Sequence, residues 1–316
     1  MIALLTEAGA GIGFGHLTRM FALGEALRAE GAEVRLTVQW AGDPVMNVVP
    51  SVDWIVHEAW REKVAKLDAG TVVIDSYLLP EAGYHAAAQG RSLVAIDDYY
   101  RLPYPADLVI NPNVFGEPGR YLPAAKAAVS GIEHVIVRES FRDAAASFTV
   151  RPEMKNVLLT LGGSDVHGLG PKLCRLLADA GFAVDWVAAD AAAEDLPAYV
   201  RRHGAQSAAG MRDLILRNDL TVCGGGQTLH ELACLGAPCV ALELGDDQNG
   251  NLSCYEQNGF INARRLHWSD TALLEAMMVE VRAMEGLEAR AARGRAGAKV
   301  VDGAGVFRLA RRIAAL

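Results

Sequence analysis

Short apolar segments alternate with amphipathic ones at the start of the chain. Residues 1–7 are apolar enough for a buried strand, and residues 33–40 alternate polar and apolar positions like a second strand. Between them, apolar side chains recur at helical spacing over residues 16–30, and Gly31 ends the predicted helix. This order of strand, loop, helix and strand predicts a parallel β–α–β unit.

The same alternation continues through the chain and is interrupted once. Further strands are predicted at residues 72–75, 93–97, 108–111, 156–161, 183–188, 220–223 and 238–242. Helices are predicted at residues 80–90, 139–147, 169–180, 195–202, 211–217 and 228–235, and over most of 270–316. Residues 148–152 break the alternation. We therefore predict an α/β protein with two doubly wound, Rossmann-like domains, residues 1–150 and 151–316, and a ligand-binding cleft between them.

The charge and the apolar segments of the chain argue against two classes of partner, nucleic acids and membranes. The 316 residues carry a formal net charge of −8, whereas a general nucleic-acid surface needs an excess of basic residues. Apolar segments stay shorter than the ~18 residues of a membrane-spanning helix, and the N-terminus lacks the basic segment of a signal peptide. We therefore expect a soluble protein with no nucleic-acid partner and no stable membrane insertion. The sequence leaves the oligomeric state open, and a monomer is favoured.

The five cysteines are an odd number without the C-x-x-C spacing of redox or zinc sites. They are Cys174, Cys223, Cys234, Cys239 and Cys254. Three of them lie near His230 in the sequence, but not at the spacing of zinc ligands. We therefore expect reduced thiols, a cytoplasmic location and no metal site.

Four alternating glycines, Gly9, Gly11, Gly13 and Gly15, lead into His16 at the start of the predicted helix. The dinucleotide-binding pattern G-x-G-x-x-G requires a glycine where this chain has His16, and the next strand does not end in an acidic residue. The sequence also contains no G-x-x-x-x-G-K-[ST] motif of a P-loop. We therefore expect no nicotinamide or flavin cofactor.

His16 is the candidate catalytic residue of this loop. At a helix N-terminus the positive end of the helix dipole disfavours a charged imidazolium, which predicts a neutral ring at neutral pH. A neutral imidazole in a cleft is suited to act as a general base. A histidine that only caps or packs against the helix fits the residues equally well, so both interpretations stay open at this point.

Two later glycine loops are candidates for binding phosphate. Gly162, Gly163 and Ser164 follow a predicted strand, where backbone N–H groups at a helix N-terminus can hold a diphosphate, and a plain turn fits as well. In the third loop, Thr228 and Glu231 have the spacing of a capping box. The Glu231 carboxylate can also accept both hydroxyls of a ribose, and a capping box without a ligand is the alternative.

Short motifs that occur in order over residues 1–262 carry a family resemblance. They are Gly-Phe-Gly-His-Leu-Thr-Arg (13–19), Val-Ile-Asp-Ser-Tyr (73–77), Ile-Asp-Asp (96–98), residues 131–138 with Phe141, Leu-Gly-Gly-Ser-Asp (161–165), Ala-Gly-Met-Arg-Asp (209–213), the third glycine loop (223–231), Leu-Gly-Ala-Pro (235–238) and Gln248. These motifs resemble those of the UDP-2,4-diacetamido-2,4,6-trideoxy-β-L-altropyranose hydrolases of pseudaminic acid biosynthesis. Spore-coat-polysaccharide relatives share them, so they indicate the family more strongly than the substrate.

The resemblance implies a metal-independent GT-B architecture in which the C-terminal domain binds UDP and the N-terminal domain carries the chemistry. Water would attack the anomeric carbon of the UDP-sugar and release UDP by C–O cleavage with inversion, and no cofactor is implied. His16 would be the general base and Tyr77 a second catalytic residue. The implied substrate-binding residues are Gly13, Gly15, Arg19, Gly162, Gly163, Ser164, Gly225, Gln227, Thr228, Glu231 and Gln248.

The chain departs from the family's pattern at three positions. Glu7 stands where Arg or Asp is usual before the glycines, Gln227 stands in place of Ser, and Asp247 stands where Asn usually precedes Gln248. These departures bear on the sugar more than on the reaction. The alternative function is an inverting GT-B glycosyltransferase with a UDP-sugar donor, in which His16 deprotonates an acceptor hydroxyl. A binding protein without turnover is the third possibility.

Overall fold

The computed structural model divides into two compact units. The described residues are 1–9, 11–42, 48–162, 165–188 and 196–316. The first unit is Met1–Arg138 together with Gly303–Leu316, and the second unit is Glu139–Asp302. The last residues of the chain therefore belong with the first ones.

The division in the structure lies earlier in the chain than the predicted boundary after residue 150. Backbone hydrogen bonds attach the intervening residues to the second unit. The N–H of Ala146 donates to the carbonyl oxygen of Cys234 at 2.9 Å, and the N–H of Phe148 donates to that of Leu235 at 3.1 Å. Residues 139–150 thus form part of the second unit's fold.

A seven-stranded sheet of parallel neighbours forms the centre of the first unit. Its strands are β1 (Ile2–Gly9), β2 (Val34–Ala41), β3 (Ile55–His57), β4 (Thr71–Asp75), β5 (Ser92–Ile96), β6 (Leu108–Ile110) and β7 (Ala128–Val129). Its α-helices are α1 (Gly15–Ala29), α2 (Glu81–Ala87) and α10 (Gly305–Ala314). The strand order is β3-β2-β1-β4-β5-β6-β7. Successive strands are added on one side of β1 up to β3 and on its other side from β4 onward, so the switch point lies between β1 and β4. Doubly wound sheets bind ligands at such a switch point, beyond the carboxyl ends of the strands.

The second unit repeats this plan with five parallel strands. The strands are β8 (Asn156–Thr160), β9 (Ala183–Val187), β10 (Val200–His203), β11 (Leu220–Gly224) and β12 (Cys239–Leu242). The helices are α3 (Glu139–Arg142), α4 (Gly170–Asp179), α5 (Ala208–Arg217), α6 (Gln227–Leu235), α7 (Asn249–Gln257), α8 (Leu273–Ala283) and α9 (Leu287–Val300). The order β10-β9-β8-β11-β12 reverses between β8 and β11, which defines a second switch point.

Apolar side chains cover both faces of the first sheet. On one face, α1 and α10 contribute Leu17, Leu23, Leu309 and Ile313 to a single buried cluster with the strands. On the other face, a second cluster contains Trp60, which is 1% exposed. Because both faces are closed, the carboxyl ends of the strands are where side chains can meet a ligand.

The strands predicted at residues 1–7, 72–75, 156–161 and 220–223 are confirmed as β1, β4, β8 and β11. The helix predicted at residues 195–202 is wrong, because Val200–His203 forms the strand β10 at the edge of the second sheet. Val200 pairs in parallel with Val184 of β9, and the two arginines that follow it are exposed. Charged residues are common on edge strands, and here they concealed the apolar pattern of a strand. Residue 195 itself lies outside the described residues.

The helix predicted at residues 139–147 is shorter in the structure and ends at Arg142. Ala146 has a φ of +52°, in the left-handed region, which is incompatible with a continuing α-helix. The sequence pattern also did not indicate β3, β7 or α7, which are short or lack a continuous apolar stripe.

Within the described ranges, no helix is long and apolar enough to cross a membrane. Over the same ranges, no group of three or more His, Cys, Asp or Glu side chains is placed to hold a metal ion. All five cysteines are free thiols, and four of them are buried.

Candidate active site

The glycine loop after β1 closes on itself before α1 begins. The N–H of Gly9 donates to the carbonyl oxygen of Gly13 at 3.2 Å, and the N–H of Gly13 donates to that of Gly9 at 2.9 Å. Gly9 has a φ of +118°, and a Cβ there would lie 2.2 Å from the carbonyl oxygen of Ala41. This tight turn starts α1 at Gly15, so His16 lies in the first turn of the helix, above the switch point.

Gly13 and Gly15, the last two glycines of this loop, have open space where a side chain would lie. A Cβ added at Gly13 or Gly15 would meet no described atom within 4 Å. The structure therefore leaves room beside both predicted substrate-binding glycines, and their contact with a sugar remains a prediction.

His16 is paired with Asp75, the last residue of β4. Its Nδ1 lies 2.7 Å from Oδ1 of Asp75, which is fully buried, and His16 itself is 7% exposed. An ionised carboxylate only accepts hydrogen bonds, so we assign the proton to Nδ1, which donates to Asp75. This tautomer leaves Nε2 with its lone pair, the form that a general base requires.

Arg19 lies one helical turn after His16 and bridges two carboxylates. Its Nε donates to Oδ2 of Asp75 at 2.6 Å and its Nη2 to Oδ1 at 2.7 Å. The Nη1 and Nη2 atoms donate to the two oxygens of Asp98, each at 2.8 Å. Each nitrogen of the guanidinium thus donates to a buried carboxylate, so Arg19 positions both Asp75 and Asp98. The contact of Arg19 with a substrate stays a prediction.

The charge of Arg19 governs the ionisation of both carboxylates. Burial alone would raise the pKa of Asp75, but the charge of Arg19 and the hydrogen bonds from Arg19 and His16 outweigh it and hold this pKa well below its ordinary value. Burial opposes ionisation of Asp98 in the same way, and Arg19 again lowers the pKa below the usual range. Both carboxylates are thus ionised at neutral pH. With one guanidinium between them, the cluster carries a formal charge of −1, which a proton on His16 would neutralise.

Tyr77, the second predicted catalytic residue, lies beside His16. The two rings meet edge to face, with centroids 4.3 Å apart and planes at 88°. The hydroxyl of Tyr77 donates a short hydrogen bond to Oδ2 of Asp98, and Asn113 Nδ2 donates to Oδ1 at 2.8 Å. Burial, followed by the charge of Asp98, raises the pKa of Tyr77 far above its ordinary value. Tyr77 therefore stays protonated and serves as a hydrogen-bond donor, not as a base.

Glu7, near the carboxyl end of β1, is a further buried acid in this region. It is 1% exposed, its Oε1 accepts a hydrogen bond from Ser76 Oγ at 2.6 Å, and Arg61 Nη1 lies 3.5 Å away. Among the described residues, its Oε2 has no hydrogen-bond partner. Burial raises the pKa of Glu7 above its ordinary value, with Ser76 and Arg61 opposing this shift.

In the second unit, two predicted glycines lie at the corresponding switch point. Gly162 is the second residue after β8 and has a φ of +104°. Gly225 is the first residue after β11, which pairs with β8. A Cβ at Gly225 would lie 2.7 Å from Leu252 Cγ, so a larger residue would clash with α7. The predicted diphosphate residues Gly163 and Ser164 lie outside the described residues.

Gln248 is joined to this edge of the sheet. Its Oε1 accepts hydrogen bonds from the N–H groups of Gly225 and Leu244, each at 3.0 Å. The carbonyl end of the side chain thus fixes the loop after β11. The amide nitrogen is the end that can donate to a phosphate oxygen.

The third glycine loop is arranged differently from the predicted capping box. Helix α6 begins at Gln227 with Gly226 as its N-cap and no side-chain cap, so Thr228 is the second helical residue and does not cap the helix. Glu231 is fully buried in α6. Gln227 and Thr228 remain partly exposed at the helix N-terminus, where an anion is favoured. The nucleotide contacts of all three residues stay predictions.

The sequence interpretation named His16 and Tyr77 but missed Asp75, Asp98 and Asn113. A usable signal was present, because both acids lie at or just beyond the carboxyl ends of apolar strands. Carboxyl ends of parallel strands meet at one edge of a sheet, so polar residues there are candidates for a site. The pairing of Asp75 with His16 required the strand order, which places β1 beside β4.

Comparison with known proteins supports the sequence resemblance only in part. No family model matches the chain. The spore coat polysaccharide biosynthesis protein SpsG of Bacillus subtilis (strain 168) is 25% identical over 223 residues, which cover 65% of this chain. The match spans 63% of the length of that relative.

Solved structures match nearly the whole chain. MurG of Acinetobacter baumannii has a TM-score of 0.64 at 16% identity and covers 100% of this chain and 99% of its own. Spinosyn rhamnosyltransferase SpnG has a TM-score of 0.65 at 15% identity, with 100% of both chains covered. Its complex with thymidine diphosphate has a TM-score of 0.61 at 16% identity and covers 99% of this chain and 100% of its own. This likeness confirms the predicted GT-B fold.

Proposed function

We propose that this protein transfers a glycosyl group from a nucleoside diphosphate sugar to an acceptor hydroxyl, with His16 as the base. The observation that carries the proposal is the contact between His16 Nδ1 and the buried Asp75 carboxylate at the switch point of the first sheet. This contact turns the basic Nε2 of the ring away from the carboxylate. An imidazole held in this way is equipped to remove a proton from a hydroxyl group.

The reaction is a single displacement. The acceptor oxygen bonds to the anomeric carbon while its proton passes to His16 Nε2. The bond from that carbon to the diphosphate oxygen breaks, and the nucleoside diphosphate leaves with the electron pair. Asp75 stabilises the imidazolium that forms, and one displacement inverts the anomeric configuration. A diphosphate is already a stable anion, so backbone amides can support its departure without a strong acid.

In the second unit, the switch point at Gly162 and Gly225 and the N-terminus of α6 are suited to an anionic nucleotide. The thymidine diphosphate bound to SpnG supports a nucleoside diphosphate as the ligand class. The choice of UDP rests on the sequence resemblance. Gly163, Ser164, Gln227, Thr228, Glu231 and Gln248 complete the proposed nucleotide site.

Hydrolysis is the second candidate function, with water as the acceptor. His16 is 7% exposed, and so small an exposed surface favours a small acceptor. The substrate implied by the resemblance is UDP-2,4-diacetamido-2,4,6-trideoxy-β-L-altropyranose. Its hydrolysis would give UDP and the free sugar that enters pseudaminic acid synthesis.

Turnover of UDP-sugars tests the proposal. Wild-type protein is incubated in EDTA with UDP-2,4-diacetamido-2,4,6-trideoxy-β-L-altropyranose or with UDP-N-acetylglucosamine, with and without a mixture of free sugars, and UDP release is measured. We expect His16→Ala to reduce release by about 10²–10⁴-fold, the usual contribution of a general base. His85→Ala, an exposed histidine of the same unit, is the matched control and should retain activity.

The outcomes separate the candidates. UDP release that depends on an added sugar indicates a transferase. Release in buffer alone, with ¹⁸O from water appearing in the sugar, indicates a hydrolase. Release that persists in His16→Ala contradicts the assigned base, and absence of any UDP-sugar binding contradicts both functions.

A further inference from the structure

Tyr99 continues the row of rings that begins at His16. Its ring meets that of Tyr77 at a centroid distance of 5.3 Å and an angle of 69°, and Tyr77 in turn meets His16 at 4.3 Å. Unlike these two residues, Tyr99 is 43% exposed. The ring of Tyr99 is therefore an aromatic surface that is partly open to solvent, and the ring of Tyr77 links it to His16, the proposed base.

A buried carboxylate fixes the backbone beneath this ring. Oδ2 of Asp97 accepts hydrogen bonds from the N–H groups of Tyr99 at 3.2 Å and Tyr100 at 2.5 Å. Asp97 is itself held by the hydroxyls of two buried tyrosines, Tyr104 at 2.6 Å and Tyr121 at 2.8 Å. The exposed ring thus stands on a backbone that is anchored to the core.

The next residue is held in a strained conformation. Tyr100 has a φ of +64°, in the left-handed region, which is unfavourable for a bulky side chain. Its surroundings enforce this geometry. The Tyr100 hydroxyl accepts the N–H of Glu117 at 2.5 Å, and the guanidinium of Arg120 lies 3.7 Å from the centre of its ring. Such strain persists where the surrounding structure fixes it, and it is concentrated at functional sites.

We infer that Tyr99 is the platform on which the pyranose ring of the nucleotide sugar lies while His16 acts at its anomeric carbon. The inference rests on the proposed function and identifies a residue that recognises the sugar. One face of a pyranose presents C–H groups that form an apolar surface. A tyrosine ring offers a matching flat apolar surface at little cost in side-chain entropy.

The position of Tyr99 agrees with this role. The ring centroids of His16 and Tyr77 are 4.3 Å apart, and those of Tyr77 and Tyr99 are 5.3 Å apart. Only the ring of Tyr77 therefore intervenes between the platform and the base. The anchored loop keeps the platform in place before the substrate arrives, which reduces the ordering cost of binding.

The test compares the affinities of UDP and of UDP-sugars by isothermal titration calorimetry. A panel of UDP-N-acetylglucosamine, UDP-glucose and UDP-2,4-diacetamido-2,4,6-trideoxy-β-L-altropyranose is measured, and the sugar with the largest gain over UDP is used. We expect Tyr99→Ala to weaken binding of this UDP-sugar about tenfold, whereas its affinity for UDP should stay within twofold of the wild-type value. Tyr99→Phe keeps the ring and should keep the gain. Tyr199→Ala, a 73% exposed tyrosine of the second unit, is the matched control.

Each result has a defined meaning. If Tyr99→Ala binds the UDP-sugar more tightly than UDP by the same factor as the wild-type protein, Tyr99 is not the platform. The same conclusion follows if no UDP-sugar binds the wild-type protein more tightly than UDP. If Tyr99→Phe loses as much as Tyr99→Ala, the hydroxyl and not the ring face recognises the sugar, which also overturns the inference. Failure of the wild-type protein to bind UDP at all is a different result and contradicts the proposed function.

Discussion

Asp75 holds a negative charge between His16 and Arg19, in a space closed to water. Its carboxylate meets both His16 and Arg19, and none of its surface is exposed. The lowered pKa of Asp75 means that the folded protein holds this group ionised more strongly than the unfolded chain does. Its contribution to stability is therefore present above its ordinary pKa of 3.8 and is lost as the pH falls below that value.

Asp75→Asn should affect stability and catalysis together. Removing one partner of a buried ion pair costs about 3–5 kcal/mol, and the neutral amide no longer stabilises an imidazolium. We expect a lower midpoint in urea unfolding and a loss of turnover by about 10²-fold or more. Far-ultraviolet circular dichroism and the UDP-release assay measure the two effects.

The second unit offers a matched control for this change. Asp185 accepts from His203 Nε2 at 2.7 Å and from Arg217 at 3.0 Å, so it is also a carboxylate between a histidine and an arginine. Asp185→Asn should reduce stability and leave turnover within twofold. Equal losses of turnover in both variants would mean that Asp75 has only a structural role.

Glu7 has the opposite dependence on pH. Since burial raises its pKa, the folded protein binds the proton more tightly than the unfolded chain. The protonated Glu7 side chain therefore contributes its full stabilisation below the ordinary pKa of 4.5, and this contribution is lost as the pH rises through the pKa that Glu7 has in the folded protein.

Glu7→Gln should therefore stabilise the protein at neutral pH. The amide oxygen can keep the hydrogen bond from Ser76, and no charge has to be buried. We expect the melting temperature at pH 8 to rise by a few degrees and its decline between pH 5 and pH 8 to diminish. Differential scanning calorimetry across this range is the measurement, with the exposed Glu62→Gln as control. An unchanged pH dependence would contradict the shift at Glu7.

At the scale of elements, α10 packs very closely against the rest of the first unit. A Cβ at Gly305 would lie 2.3 Å from the carbonyl oxygen of Val135 and 2.8 Å from its nitrogen. Only a hydrogen at this position lets the start of α10 lie against the backbone there. The helix then buries Val306, Leu309 and Ile313.

Gly305→Ala should displace the start of α10. A methyl group forced against backbone atoms costs about 1–3 kcal/mol, because the backbone must shift. Urea unfolding should register this loss. Gly119→Ala is the control, since a Cβ there meets no described atom within 4 Å, and its midpoint should change little. If the two variants unfold alike, α10 has more freedom than its packing implies.

Elements with strong apolar patterns were predictable, and weak ones were not. Strands β1 and β11 are entirely buried, and their sequences are mostly apolar. Helix α7 buries only Asn251, Leu252 and Tyr255, which gives no stripe at helical spacing. The strand β10 exposes its arginines, so tertiary pairing and not composition determines its conformation.

For the whole molecule, the sequence indicated two doubly wound sheets but not which strands are neighbours. His16 and Tyr77 were named through a resemblance, whereas Asp75 and Asp98 became partners only when β1, β4 and β5 lay side by side. Strand order depends on contacts between residues far apart in sequence, and local patterns do not record it. The carboxylate partners of Arg19 were missed for the same reason, since they lie 56 and 79 residues away in the sequence.

The return of α10 to the first unit has a consequence for synthesis of the protein. Residues up to Arg138 leave the ribosome before the second unit, yet the helix that completes their core is made after it. Until then, the apolar side chains of α1 that face α10 have no cover. The second unit, which is continuous from Glu139 to Asp302, can complete its fold while the first one waits. A nascent chain at this stage exposes a hydrophobic surface that a chaperone can bind.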